Sequence, residues 1–221
     1  MNGETEAPSR LPARGLKEEE SMHIATNALS GEAALSTTVI SAPSARALAT
    51  GVAVAAAVAL PQIAHVFGAA VGLGPAVGQV LLPMFLPVMA VGLLAGPAAG
   101  LVAGAVAPVL SSLLTGMPVA PMPLFAMVPE VAVLGLVCGA LSTRRLPWVA
   151  KVLVAQVAGL AAYAVAAGLF AAVATGFDAQ VLLGTVANVA RVALPGYAIQ
   201  WVALPVLMAA VTRAESARSG R

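Results

Sequence analysis

From Ala47 to Thr212 the chain is one apolar stretch that holds only six Asp, Glu, Lys or Arg residues. No soluble core needs so long a run without charge, so this stretch dictates a chain folded in lipid. Four of the six, Arg144, Arg145, Lys151 and Asp178, fall where loops or helix ends are expected and can reach water. Glu130 and Arg191 fall inside hydrophobic segments. A charge at bilayer depth costs at least roughly 2.5 to 3.5 kcal/mol, so such residues usually face a bundle interior, a partner or a ligand.

Composition supports the class. Hydrophobic residues make up 60% and charged residues 9%, with a mean hydropathy of +0.97, against about 25% charged residues in soluble proteins. The expectation is an all-α integral membrane protein. With a net charge of +2 and no basic stripe, there is no footprint for nucleic acid. The single cysteine, Cys138, excludes an internal disulfide and any paired-cysteine metal or redox motif.

Residues 1–46 are of another material. Glutamates alternate with Arg10, Arg14 and Lys17, prolines intervene, and nothing repeats at helical spacing, which predicts a disordered, retained N-terminal tail. A membrane domain is expected over 47–212 and a short C-terminal tail over 213–221. A span needs about 20 apolar residues, and six candidates fit: Ala47 to Phe67, Val80 to Ala95, Ala98 to Thr115, Met122 to Leu141, Pro147 to Thr175 and Val181 to Val211. The second is short and carries Pro83 and Pro87, which predicts a broken or tilted helix lining a cavity. Prolines 195 and 205 predict kinks in the sixth.

Lysine and arginine collect in the N-terminal tail, the loop of Arg144 and Arg145, and the C-terminal tail, whereas the three alternate connections have none. By the positive-inside rule both termini are cytoplasmic. Glu130 then lies about eight residues, and Arg191 about ten, from the outer ends of their spans, or roughly 12 to 15 Å deep. Similar depth suggests one outward-opening cavity in which the two pair with each other or Arg191 takes an anionic ligand group.

The inventory disfavours enzymatic chemistry. The only histidines are His23 and His65, so no His cluster or HExxH site exists, and neither lysine lies in a phosphate-binding loop. Ser111 and Ser112 read as satisfying backbone carbonyls. On the first span, Ala47, Gly51, Ala55 and Ala59 recur every four residues, and Ala49, Ala53 and Ala57 repeat on an adjoining stripe; small residues at this spacing let helices approach closely in lipid.

Residues 82–141 contain LPMFLPV, then PVLSSLLTGMP, then Glu130 with Gly135, and LPGYAIQ follows at 194–200. This set resembles the substrate-binding S components of energy-coupling factor (ECF) vitamin transporters, in the group with pantothenate- and folate-type members. Phe85 stands where that family often has histidine. The resemblance implies a six-helix, multi-pass subunit of a bacterial or archaeal cell membrane that binds a vitamin or cofactor precursor from outside. It implies as partners a transmembrane coupling subunit, docked on Ala49, Ala53 and Ala57, and two ATPase subunits that use the ATP; this chain needs no cofactor. Candidate ligand contacts are Gln79, Met84, Ser112, Met117, Glu130, Asn188 and Arg191. A carrier that works alone on an ion gradient, and a membrane scaffold that transports nothing, are the readings from other classes.

Overall fold

A computed structural model describes residues 40–72, 77–174 and 176–219, with the side chains at 79, 212, 215, 216, 218 and 219 outside the described set. The expected tail over residues 1–39 also lies outside it. The described residues form seven helices: α1 (Pro43–Ala70), α2 (Val77–Leu81), α3 (Phe85–Ala95), α4 (Pro97–Thr115), α5 (Met122–Leu141), α6 (Trp148–Ala174) and α7 (Ala179–Ser219). All but α2 and α3 are long and apolar enough to cross a membrane. Valine and leucine side chains such as Leu101, Val106, Val157, Leu169 and Val202 remain exposed on them, a surface suited to hydrocarbon and not to water. The chain is a multi-pass membrane protein.

Element ends follow local chemistry. Proline opens α1 and α4 at a position where its missing N–H costs nothing. Gly96, at φ 96°, turns α3 into α4 without an intervening loop, a conformation that a Cβ would strain. Helix α1 starts at Pro43, within the stretch read as tail, and Arg46 Nε donates to the Ile40 carbonyl at 2.8 Å. Helix α7 continues to Ser219, into the stretch read as a C-terminal tail, and is unbroken by Pro195 and Pro205. The expected kinks therefore do not interrupt it.

The second expected span is the one that breaks. Helix α2 ends at Leu81, α3 begins at Phe85, and Leu82 between them has a φ of 46°. For a leucine this left-handed geometry costs roughly 1 to 2 kcal/mol. Helix α3 sits centrally, packed on α1, α4, α5 and α7, and Phe85, Val88, Met89 and Leu93 are fully buried there.

Close backbone approach holds α3, α4 and α5 together. At Gly100 of α4 and Gly135 of α5 a Cβ on either residue would overlap the other's carbonyl, so the helices meet where neither has a side chain. Dispersion contacts of this kind drive helix association in lipid, where apolar burial no longer favours one helix over the solvent. Lys151 departs from its expected role. On the first turn of α6 it is buried, with Nζ donating to the Ser142 carbonyl at 3.2 Å and lying 4.8 Å from the Trp148 ring. Proximity to a helix end did not bring it to water, because a carbonyl and an aromatic face take its charge instead.

Gly135→Ala should lower the stability of the detergent-purified protein by about 1 to 3 kcal/mol, since backbone must move to admit the methyl. Gly51→Ala, whose Cβ meets nothing within 4 Å, should leave it within about 0.5 kcal/mol of the original. Thermal unfolding of the two variants side by side checks the pair.

Candidate functional site

The break between α2 and α3 opens one wall of a cavity of about 370 Å³. Leu82, Pro83, Met84 and Phe85 form that wall. Helix α1 contributes Pro61, Gln62 and His65, and α5 contributes Pro123, Met127 and Glu130. The turn after α4 closes over it with Met117, Pro118 and Val119, and α7 presents Asn188, Val189, Val192 and Ala193. The volume lies within the range of small-molecule sites, and so does the chemistry, a mostly apolar lining with a few polar groups.

The wall is held in place by the segment that reads LPGYAIQ. Gly196 faces the end of α2 so closely that a Cβ would strike the Val80 carbonyl and the Leu81 backbone. Tyr197, the next residue, stacks at a tilt against Phe85 with ring centroids 6.4 Å apart. One turn on, the Gln200 amide donates to the strained Leu82 carbonyl at 3.3 Å. Gln200 Oε1 accepts from Gln156 Nε2 of α6 at 2.9 Å, and Gln156 Oε1 accepts from Trp201 Nε1 at 2.9 Å. Every member of this buried chain is thus paired, the condition under which a polar network in an apolar interior stabilises instead of weakens. Spacing at 196, 197 and 200 puts the close approach, the ring and the amide on one face of α7.

The rim is tied as well. Ser111 and Ser112 donate to the carbonyls of Met117 and Pro118, each at 2.8 Å, and Thr115 Oγ1 donates to the Ser111 carbonyl at 2.8 Å. The serines do satisfy backbone carbonyls, but those of the following turn and not of their own helix. Gln62 Nε2 reaches Thr115 Oγ1 at 3.3 Å and links α1 to this rim.

Of the residues singled out in the sequence, Met84, Met117, Glu130 and Asn188 meet at the cavity. Ser112 is absent from its lining, where Ser111 takes the place. The Gln79 side chain lies outside the described residues. Arg191 does not join Glu130. Asn188, Val189, Val192 and Ala193 occupy the cavity face of α7, and Arg191 falls about 130° around the helix from the centre of that face by the 3.6-residue period. Its side chain is exposed, and Nη2 donates to Asn188 Oδ1 at 3.0 Å. Equal depth placed the two charges at one level but not on one side, so the expected pairing or shared cavity gives way to an arginine that orients an asparagine.

Glu130 is different. Only 5% of it is exposed, and no hydrogen bond or ion pair to its carboxyl is found among the described residues. No fully enclosed side-chain nitrogen or oxygen among the described residues lacks a partner, so the unbonded Glu130 carboxyl oxygens keep access to the cavity that the residue lines. Gln62, His65 and Ser111 were missed as lining residues. A signal existed for the first two, since Pro61, Gln62 and His65 fall on one face near the end of α1.

The alanines read as a docking surface are used internally. Ala57 is fully buried and Ala53 nearly so, and Ala49 packs on the same core. They let α1 approach α3 and α4 of its own chain. The neighbouring stripe, Ala47, Gly51, Ala55 and Ala59, is the exposed one.

Fold and site together define a multi-pass, all-helical membrane protein with a ligand-sized cavity among its helices. Among protein-family models, curated proteins and solved structures, none matches the chain.

Gln200→Ala should lower stability by about 2 kcal/mol, because it strands the Gln156 amide in an apolar interior and leaves the Leu82 carbonyl only its bond from Phe85 N–H at 3.1 Å. Thr185→Ala, which removes only an exposed bond to the Val181 carbonyl, should change it by less than about 0.5 kcal/mol. Denaturation midpoints of the two variants in the same detergent compare them directly.

Proposed function

We propose that the chain is the substrate-binding S component of an ECF-type importer, taking a vitamin or cofactor precursor from outside the cell and passing it inward with an energising module. The observation that carries this reading is the cavity itself, bounded by a broken helix and a tied turn, with one unpaired carboxyl aimed into it. Its wall and rim draw on LPMF and SSLLTGMP, and LPGYAIQ braces the wall from behind, the same segments that carry the resemblance to S components.

On this reading the short α2 and α3 act jointly as one span, giving six, with both termini cytoplasmic in a bacterial or archaeal cell membrane. The partners are a transmembrane coupling subunit and two ATPases, which supply the ATP chemistry that this chain's sequence has no motif for. The coupling subunit would meet α1 on its exposed stripe, Ala47, Gly51, Ala55 and Ala59, since the alanines of the other stripe are occupied. A second reading is favoured by the same carboxyl: a carrier that works alone, with Glu130 taking up the coupling proton.

The two readings separate by what drives uptake. Purified from its host in mild detergent, the tagged chain should bring down one further membrane subunit and two ATPases, and liposomes holding the complex should accumulate substrate only with ATP. Uptake by the chain alone under a proton gradient would establish the carrier and remove the S component.

A further inference from the structure

We propose that the cavity takes a ligand with a cationic, N–H-bearing nitrogen head on an apolar body, and that the Glu130 carboxylate receives that head. The inference rests on the cavity being the substrate site of the reading above.

Placement of charge carries it. Glu130 is about 95% buried, on the complement of its 5% exposure, and is directed at a space lined mainly by apolar side chains. Among the described residues neither lysine nor arginine lines that space, and His65 is the basic side chain that does. Arg191, the cation at comparable depth, turns off the face and is engaged with Asn188. Lys151, a buried cation, is held by the Ser142 carbonyl and the Trp148 ring.

Among the described residues a carboxylate so placed has no lysine or arginine beside it and no ion pair, and an uncompensated ion in a dry site is strongly disfavoured. An arriving cation supplies what is missing, and each N–H on its head can donate to an oxygen that now faces only the cavity. A carboxylate or phosphate ligand would meet the reverse, like charge with the His65 imidazole as the one basic side chain among the described lining residues. Selectivity against anions follows from the same geometry. The arrangement at the edge adds a second point. With its oxygen engaged by Arg191, the Asn188 amide has its N–H pair left for an acceptor on the ligand body.

The test uses the full chain in lipid nanodiscs and four probes, thiamin and benzamidine as cations and pantothenate and benzoate as anions, with affinities from isothermal titration calorimetry. At least one cation should bind tenfold or more tightly than either anion, and Glu130→Gln should weaken that cation by tenfold or more. Equal or tighter binding of an anion overturns the proposal. So does an unchanged affinity in Glu130→Gln, or the absence of binding by both cations at millimolar concentration. If that variant does not fold, the comparison of cations with anions on the unaltered chain decides alone. Recovery of the ATPases with the chain does not depend on ligand charge. ATPases recovered while anions win leaves the S component standing without the cationic ligand; cations winning without ATPases does the converse.

Discussion

A helix interrupted inside hydrocarbon exposes backbone groups that lipid cannot satisfy, and this protein depends on how that debt is met at Leu82. Pro83 and the left-handed φ of Leu82 end the regular ladder between α2 and α3. The Leu82 carbonyl keeps a bond from Phe85 N–H at 3.1 Å and takes a second from Gln200, which is itself held by Gln156, with Trp201 completing the set. Non-helical backbone at membrane depth is tolerated where protein covers it or where it lines a cavity, and here both apply. The break is what separates α2 from α3 enough to leave the wall of the site.

The same logic orders the rest of the bundle. Where helices must come close, side chains vanish, as at Gly100 against Gly135. Where a polar group must be buried, a neighbour answers it, as Ser142 answers Lys151. Among the described residues Glu130 is the exception, a buried carboxyl with no hydrogen bond or ion pair, and it lines the cavity. Natural folds depart from local consistency chiefly at functional sites, so the exception and the cavity point to the same place.

How much of this the sequence disclosed depends on which coordinate is asked for. Position along a helix axis was legible: α4 and α5 match their expected runs to within a residue, and the prolines foretold the break at 82–84. Depth follows from counting at 1.5 Å per residue. Rotation about the axis did not follow, because a chain apolar on nearly every face shows almost no amphipathic stripe to read. That is why Glu130 and Arg191 share a level but not a side, and why two alanine stripes offered no way to tell the inward one from the outward. The Gln156 and Gln200 pair was hidden for another reason. Two amides 44 residues apart mean nothing in sequence until packing brings α6 and α7 together.

The bond from Gln200 to Leu82 spans 118 residues, and that separation bears on how the protein comes to exist. Helices emerge from the ribosome in chain order, so α2 and α3 enter the membrane while the helix that must grip them has yet to be made. Until α7 arrives, the broken segment has neither the amide for its carbonyl nor Tyr197 for the Phe85 ring. The cavity is therefore among the last features to form during biogenesis. A chain stopped before Gly196 leaves that wall unsupported, so a truncated product offers the cell no half-working site.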